Sequence, residues 1–175
     1  RKEGALLICI CPTKELASQT CSVCQLITKP FPWIVSGVLA GGENAKKEKE
    51  KIRKGLTCVF ATSGRLEYHL KNTECFNLDK LMFFVVDECD RLMAKDKEDD
   101  FMKLVDIIKS CQTVLVSATL TKSVTKLAKK LLSNDFEKVT AYDENANKNA
   151  NENANQNANE NQNQHANENQ NQNHD

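Results

Sequence analysis

The sequence lacks any run of about 18 apolar residues, the length that a membrane-spanning helix requires. It also lacks a secretory signal peptide, and its eight cysteines have no secretory disulfide context. These absences argue against a membrane-spanning chain and against a small secreted domain held by disulfides. We therefore predict a reduced, soluble and intracellular protein.

A complete set of zinc-binding residues is lacking as well. Cys21 and Cys24 form a C-x-x-C pair on a predicted helix, but no second pair of cysteines or histidines completes a four-ligand site. Cys9, Cys11 and Cys58 lie within apolar runs, where a thiol serves as a small hydrophobic side chain. The cysteines are therefore interpreted as structural residues rather than as metal ligands.

The chain has no net charge, with 24 basic and 24 acidic residues, but this value averages two unlike segments. Residues 143–175 contain six acids and one base, which leaves 23 bases and 18 acids in residues 1–142. A mildly basic domain permits a polyanionic partner without requiring one. The length and the hydrophobic content of 40% predict one domain with a core.

Residues 143–175 are a low-complexity tract in which Asn occupies every odd position from 145 to 173 except 165, which is His. Such a polar segment cannot bury enough apolar surface to offset the entropy cost of ordering. We predict a disordered tail, in which the Asn side chains would align on one face if the segment became extended. No core function is expected there.

Five short runs in residues 1–142 are apolar nearly throughout, which is typical of strands covered on both faces. They are ALLICIC (5–11), WIVSGVLA (33–40), TCVFA (57–61), LMFFVV (81–86) and TVLVSA (113–118). Segments with helical periodicity separate several of these runs. The alternation of strands and helices predicts right-handed βαβ units and an α/β fold with a parallel sheet.

The predicted helices differ in character. Apolar residues recur every three or four positions in three segments: Ala17, Cys21, Cys24 and Ile27; Phe101, Leu104, Val105 and Ile108; and Val124, Leu127, Ala128 and Leu131. GGENAKKEKEKIRKG (41–55) instead predicts a solvated helix with Glu–Lys pairs that ends at Gly55. A basic binding patch is the alternative for this segment.

Polar side chains follow the predicted strands, and ligands of a parallel sheet bind at the carboxyl ends of its strands. The loops there contain PTKELA (12–17), GG (41–42), TSGRL (62–66), DECD (87–90) and SAT (117–119). The first and third predict helix starts, each with a capping Thr, whose free N–H groups could bind a phosphate. The two glycines would let a polyanion approach the backbone closely.

DECD places two carboxylates directly after a buried strand. Asp87 could hold Mg²⁺ through water, and Glu88 could orient or deprotonate a water directed at a phosphate. The hydroxyls of SAT are placed where they could hydrogen-bond these acids. The alternative is that the acids only cap the following helix, and DECD alone does not decide between the two.

The five motifs, in this order and at these separations, resemble the first RecA-like domain of DEAD-box ATP-dependent RNA helicases. The resemblance covers roughly residues 5–141 and implies a three-layer RecA-like parallel sheet with helices on both faces. Residues 29–55 further resemble the nucleolar subfamily that acts in assembly of the large ribosomal subunit. The resemblance implies ATP and Mg²⁺ as cofactors, pre-ribosomal RNA as partner, no membrane, and a location in the nucleus and nucleolus.

The resemblance also assigns roles to individual residues. Glu88 would be the catalytic base, and Asp87 would coordinate Mg²⁺ through water. The hydrolysis of ATP would be coupled to RNA unwinding by Asp90, Ser117 and Thr119. The path of single-stranded RNA would be lined by a larger group, with contacts mainly to phosphates and sugars: Pro12, Thr13, Lys14, Gly41, Gly42, Thr62, Gly64 and Arg65.

Three residues depart from the usual pattern of the family. Lys14 replaces Arg, so that a point charge stands in place of a bidentate fork. Ser63 replaces Pro, which loosens the turn. Cys89 replaces Ala, which adds an oxidisable thiol beside the acid pair.

The family's phosphate loop, G-x-x-x-x-G-K-[ST], does not occur in the sequence, and neither do the adenine-reading segment and the second RecA-like domain. We therefore expect residues 1–142 to form an incomplete helicase domain, and this chain alone neither to bind ATP tightly nor to unwind RNA. TVLVSA would then lie at an open sheet edge, which a protein partner could cover.

Two other classes are alternatives. A non-enzymatic RNA-binding or regulatory remnant of a helicase would keep the phosphate-contacting loops without the ATP site. A receiver-like Mg²⁺ domain would use Asp87 as phosphoacceptor, but it needs an acidic pair after its first strand, and CPTKELA (11–17) contains none.

Overall fold

The computed structural model describes residues 4–94, 98–108 and 111–140. The chain divides into two units, residues 1–134 and residues 135–175. All helices and strands described below belong to the first unit. The described part of the second unit, residues 135–140, contains neither helix nor strand. The predicted disordered tail at 143–175 lies outside the described residues.

Five strands form one sheet in which every neighbouring pair is parallel. The strands are β1 (Leu7–Ile10), β2 (Ser36–Leu39), β3 (Cys58–Ala61), β4 (Phe83–Val86) and β5 (Gln112–Leu115). Their order across the sheet is β2-β3-β1-β4-β5. Each strand lies within or overlaps one of the predicted apolar runs, so that the prediction of a parallel sheet is confirmed.

Six helices are described, which are α1 (Lys14–Ile27), α2 (Ala45–Lys54), α3 (Ser63–Asn72), α4 (Cys89–Leu92), α5 (Glu98–Val105) and α6 (Lys122–Leu131). Several begin at capping side chains that accept a backbone N–H, as Thr13 does from Leu16 at 3.2 Å. Within the described ranges, no helix combines the length and the apolar character that crossing a bilayer requires.

Helix α2 ends where its sequence predicts, but one of its faces is buried. The helix ends at Gly55, whose φ of +96° is a conformation that glycine adopts without strain, so the predicted end is confirmed. The predicted solvated helix is exposed along most of its length, but Glu48 and Ile52 are buried. These two residues are four positions apart and therefore share one face.

Alternating side chains of the strands form cores on the two faces of the sheet. Ile8 and Ile10 of β1 belong to the larger core, to which α2, α3, α4, α5 and α6 all contribute. Cys9 and Cys11 point to the opposite face, where they pack with Ala17 and Cys21 of α1. Helices therefore cover both faces, and the predicted three-layer α/β fold is confirmed.

The face under α1 is only partly covered. This helix packs mainly over β2, β3, Cys9 and Cys11, and its cluster reaches Val85 of β4. On the same face Phe83, Val114 and Val116 are 38%, 41% and 47% exposed. The apolar runs of β4 and β5 therefore stay partly exposed on this face, which for β5 agrees with the predicted open edge.

Strand β5 stands at one end of the strand order, as predicted for TVLVSA. Within the described residues it pairs only with β4. An edge strand with exposed apolar side chains offers both backbone hydrogen-bonding groups and hydrophobic surface to another chain.

We expect the purified chain to self-associate with increasing concentration, because no described strand pairs with the outer side of β5. Val114→Lys should shift the equilibrium towards monomer, since a lysine on an edge opposes strand pairing. Size-exclusion chromatography over a range of concentrations measures this. Val139→Lys, at an exposed residue outside the sheet, adds the same charge as a control. A concentration-independent monomer for the unmodified chain would contradict the prediction.

Candidate functional site

The carboxyl ends of all five strands lie at one edge of the sheet, because all strands are parallel. The loops singled out in the sequence follow these ends. In spatial order the edge carries GG after β2, TSGRL after β3, PTKELA after β1, DECD after β4 and SAT after β5. The basic and glycine-containing loops therefore occupy one half of the edge, and the acidic and hydroxyl-bearing loops occupy the other.

The acid pair continues directly from β4. The N–H of Asp87 donates to the carbonyl of Ile10 at 2.9 Å, which extends the pairing of β4 with β1 by one residue. Asp87 Oδ1 then accepts the N–H of Glu88 at 2.9 Å. Both carboxylates are partly exposed, and Glu88 forms an ion pair with Arg91 at 2.8 Å.

Glu88 has a strained backbone. Its φ of +46° lies in the left-handed region, and among the described residues it is the only one other than glycine with a positive φ. This conformation costs a non-glycine residue on the order of 1–3 kcal/mol. Such strain is common at functional sites, where it directs a side chain that a relaxed backbone would place elsewhere.

The predicted coupling residues are in contact. Thr119 Oγ1 donates to Asp90 Oδ2 at 2.6 Å, and Ser117 Oγ donates to the carbonyl of Thr119 at 2.7 Å. The N–H of Cys89 donates to the carbonyl of Val116 at 3.0 Å, which aligns the two loops. The hydrogen bond from Thr119 lowers the pKa of Asp90 below its ordinary value of 3.8, because it favours the ionised carboxylate.

The basic half is held together through Glu43, in the loop after the glycine pair. Lys14 Nζ lies 2.7 Å from Glu43 Oε1, and Arg65 Nη2 donates to the carbonyl of Glu43 at 3.1 Å. The hydrogen bond and the attraction between the charges raise the pKa of Lys14 and lower that of Glu43. Both side chains are solvated, so this ion pair contributes little to stability. Another anion could therefore replace Glu43 as the partner of Lys14.

The glycines border open space. A Cβ at Gly41, Gly42 or Gly64 would meet no atom of the described residues within 4 Å, its immediate chain neighbours aside. Gly42 has a φ of +84°, which explains the glycine at that position. For Gly41 and Gly64 no crowding within the described structure explains the glycine.

The two threonines that were predicted to cap helices differ. Thr13 follows Pro12 and caps α1 with its hydroxyl, as predicted. Thr62 occupies the corresponding position before α3, but its side chain makes no capping hydrogen bond, so this part of the prediction is wrong. The N–H of Thr62 pairs with the carbonyl of Leu39 at 3.1 Å and continues the ladder between β3 and β2.

Cys89 is less available than its position beside the acids suggests. Its side chain is fully buried in the larger core. Burial raises the pKa of the thiol, which keeps it protonated and reduces its reactivity. The expectation of an oxidisable thiol at this site does not fit this environment.

Reading the sequence missed two residues of the site, Glu48 and His69. Both are buried, and their side chains lie 2.9 Å apart. The signal was present in the helical spacing, because Glu48 shares the buried face of α2 with Ile52 and His69 follows the buried Leu66 by three positions on α3. A charged residue on an apolar stripe indicates a buried polar contact.

The acid pair after β4 is suited to a magnesium ion that is held partly by water, and not to a metal ion held by protein ligands alone. In the part of the chain that the structure describes, no three His, Cys, Asp or Glu side chains are grouped to hold a metal ion. Mg²⁺ is commonly bound by one or two carboxylates together with water and the phosphates of a nucleotide. Asp87, partly exposed at the sheet edge, fits this kind of binding.

The sheet order and the loops at the strand ends define a RecA-like α/β domain. The family model described as DEAD/DEAH box helicase matches residues 1–127, which is more than half of the 175 residues. The chain belongs to this family.

Individual relatives agree with this assignment. The chain is 42% identical over 146 residues to the probable ATP-dependent RNA helicase CG8611 of Drosophila melanogaster, a match that covers 77% of this chain and 15% of the relative. It is 42% identical over 132 residues to the human ATP-dependent DNA helicase DDX31, covering 73% and 16%. It is 38% identical over 152 residues to the ATP-dependent RNA helicase DBP7 of Gibberella zeae, covering 76% and 20%.

These matches involve a small part of each relative. The chain spans a fifth or less of the length of the three curated relatives named above. The three relatives also differ in the substrate that their names give, since two are named RNA helicases and one a DNA helicase.

Replacing Thr119 by Val should raise the pKa of Asp90 towards its ordinary value, because the hydroxyl that stabilises the carboxylate is lost. The lowered pKa stabilises the fold above pH 3.8, and this contribution is lost as the pH falls through the folded-state pKa. Because Asp90 is solvated, the loss of stability at neutral pH should be less than about 1 kcal/mol.

The measurement is an NMR titration of the Asp90 carboxyl, together with urea unfolding as a function of pH. Thr125→Val is the matched control, since within the described residues the hydroxyl of Thr125 donates only to the carbonyl of Thr121, one turn earlier. Identical titration curves for the unmodified chain and Thr119→Val would show that the hydrogen bond is not formed in solution.

Proposed function

We propose that this chain is part of an ATP-dependent RNA helicase of the DEAD-box type. In this proposal the acidic half of the sheet edge acts on ATP and the basic half carries single-stranded RNA. The observation that carries the proposal is the division of one edge into two neighbouring groups of loops, with Asp90 and Thr119 in contact in one group and Lys14, Glu43 and Arg65 in the other.

The acidic half would supply the groups that hydrolysis needs. Asp87, at the rigid end of a central strand, would hold Mg²⁺ through water, and Glu88 would orient and deprotonate the attacking water. Mg²⁺, when bound, supplies positive charge that neutralises the phosphates of the nucleotide. Asp90, Ser117 and Thr119 would couple hydrolysis to RNA, because their hydrogen bonds join the loop after β4 to the loop after β5.

The basic half would bind the nucleic-acid backbone rather than its bases. Lys14 would provide charge, and Gly41, Gly42 and Gly64 would allow phosphates to approach the chain closely. Pro12, Thr13, Thr62 and Arg65 complete the proposed path. Contacts of this kind give affinity that depends on salt and is nearly independent of base sequence.

RNA is proposed as the natural substrate, with pre-ribosomal RNA in the nucleolus as its source. Support comes from the motif resemblance, from the resemblance of residues 29–55 to helicases that assemble the large ribosomal subunit, and from the two relatives that are named RNA helicases. A protein partner that covers the exposed side of β5 is part of the same proposal.

The 175 residues contain no G-x-x-x-x-G-K-[ST] loop, whose backbone and Lys cradle the phosphates of ATP in related enzymes. We therefore expect this chain by itself to bind a single-stranded oligouridylate without hydrolysing ATP. The affinity should be the same with and without ATP, and it should fall with salt at a slope of roughly −0.7 per neutralised phosphate.

Filter binding with the RNA strand and with its deoxy counterpart, combined with an ATPase assay, tests this expectation. RNA-stimulated ATP hydrolysis by the chain would overturn its predicted inactivity. Tighter binding of the DNA strand would overturn the proposed substrate. Binding without hydrolysis is also what a non-enzymatic remnant would show, and a chain completed with a phosphate loop and a second RecA-like domain separates the two by its ATPase activity.

Glu43→Gln should increase the affinity for the RNA strand by a few-fold. The Glu43 carboxylate forms an ion pair with Lys14, and a phosphate must displace this carboxylate before the phosphate can bind Lys14. An exposed pair of this kind is worth about 0.2–1 kcal/mol, which limits the gain. Glu74→Gln makes the same charge change in the exposed segment between α3 and β4, and it should have a smaller effect. Equal gains from both variants would show that only net charge matters.

A further inference from the structure

Glu48 is a buried acid that has no part in the proposed chemistry. It lies on α2 with 1% of its surface exposed, and His69 beside it is fully buried. Acids are almost never buried to this degree unless they are paired, because the loss of hydration must be offset by hydrogen bonds and opposite charge. The partners of Glu48 therefore indicate what the residue holds in place.

The carboxylate of Glu48 uses both of its oxygens. Oε1 accepts the backbone N–H of Ala40 at 3.0 Å. Oε2 lies 3.2 Å from Arg65 Nη1 and 2.9 Å from His69 Nε2. The other ring nitrogen of His69 is 3.0 Å from the hydroxyl of Thr73, so that the ring is held from both sides. Among the described residues, no buried side-chain nitrogen or oxygen lacks a partner.

These contacts fix both ends of the glycine loop. Ala40 directly precedes Gly41 and is held by Glu48 itself. Glu43 directly follows Gly42, and its carbonyl accepts Arg65 Nη2 at 3.1 Å. Arg65 therefore transmits the position of Glu48 to the far end of the loop.

Support at both ends matters most for a loop with two glycines, because such a loop has the largest entropy to lose on ordering. Glycine has the greatest backbone freedom, so a loop that contains two of them loses much entropy when a ligand orders it. Fixing the residues on both sides beforehand reduces that cost and increases affinity without adding a contact to the ligand.

Arg65 is itself placed for this supporting role. Its side chain is only 16% exposed, and its guanidinium lies 5.8 Å from the centre of the Tyr68 ring. Its two terminal nitrogens are engaged with Glu48 and with the carbonyl of Glu43. A lysine could not hold both acceptors in one plane, since it has a single nitrogen.

We propose that Glu48 is a positioning residue that holds the Gly41–Gly42 backbone, directly through Ala40 and indirectly through Arg65, in the conformation that receives a phosphate backbone. The proposal rests on the proposed function for its ligand. It goes beyond that function because Glu48 would increase the affinity for RNA without contacting the RNA.

Glu48→Gln tests the proposal with a side chain of nearly the same size. The amide oxygen can accept one donor, but the NH₂ group opposes the other donors and the negative charge that holds Arg65 is lost. We expect the affinity for an oligouridylate strand to fall by about 3- to 10-fold, the effect of a lost hydrogen bond. The backbone amide signals of Gly41 and Gly42 should shift in NMR spectra of the free chain.

Glu50→Gln is the matched control, because Glu50 lies on the same helix but is exposed. It removes the same charge, and by charge alone the affinity for RNA should stay equal or rise. A loss of affinity in Glu48→Gln that Glu50→Gln does not show would support the proposal. Equal RNA affinities of the two variants, or glycine amide signals that do not shift in Glu48→Gln, would overturn it.

The slope of affinity against salt separates positioning from direct contact. Glu48→Gln should keep the slope of the unmodified chain, because no phosphate contact is removed. A slope reduced by about 1 would overturn the proposal by showing that a phosphate contact has been lost. If Glu48→Gln does not fold, Glu48→Asp replaces it: the shorter side chain keeps the charge but cannot reach Ala40 and Arg65 together, so the same loss of affinity and a shifted Gly42 amide are expected.

Failure of the proposed function can be told apart from failure of the positioning role. If the unmodified chain bound neither RNA nor DNA, the proposed function would be refuted. The amide signals of Gly41 and Gly42 would still decide, without any nucleic acid, whether Glu48 holds this loop.

Discussion

The parallel pairing of the five strands is the constraint on which the rest of the structure depends. Because no strand reverses direction, every connection returns across a face of the sheet and every carboxyl end lies at the same edge. Five loops far apart in the chain thereby become neighbours. Asp90 and Thr119, 29 residues apart, form a hydrogen bond because β4 and β5 are adjacent.

The two halves of the edge are held in different ways. The acidic half relies on hydrogen bonds between solvated groups and on the strained backbone of Glu88. The basic half rests on the buried carboxylate of Glu48, whose partners lie on α3 and at the end of β2. The two halves meet in the middle of the sheet, where β1 pairs with β4.

Polar and apolar groups are balanced differently across the molecule. Buried polar side chains in the described residues are all satisfied, which is the normal condition of a folded interior. The apolar side chains Phe83, Val114 and Val116 are by contrast exposed on the face beside α1. Within the residues that the structure describes, the polar network is therefore complete, whereas the hydrophobic layer over β4 and β5 is not.

The amino-acid sequence by itself determined the fold class, the approximate strands and the loops that carry the candidate site. Continuous apolar runs, helical periodicity and local motifs such as DECD suffice for these features because each is encoded within a few neighbouring residues. The end of α2 at Gly55 is a local property of the same kind. The family assignment followed because the order and spacing of the motifs are also properties of the linear chain.

Only the tertiary structure decided which side chains are buried and what they contact. Glu48 looked like one more charge on a solvated helix, and its burial depends on α3 presenting His69 and Arg65 to it. The open face of β4 and β5 depends on how far α1 reaches across the sheet. Both are properties of packing between segments distant in sequence, and no local pattern encodes the distance between two elements that meet only when the chain folds.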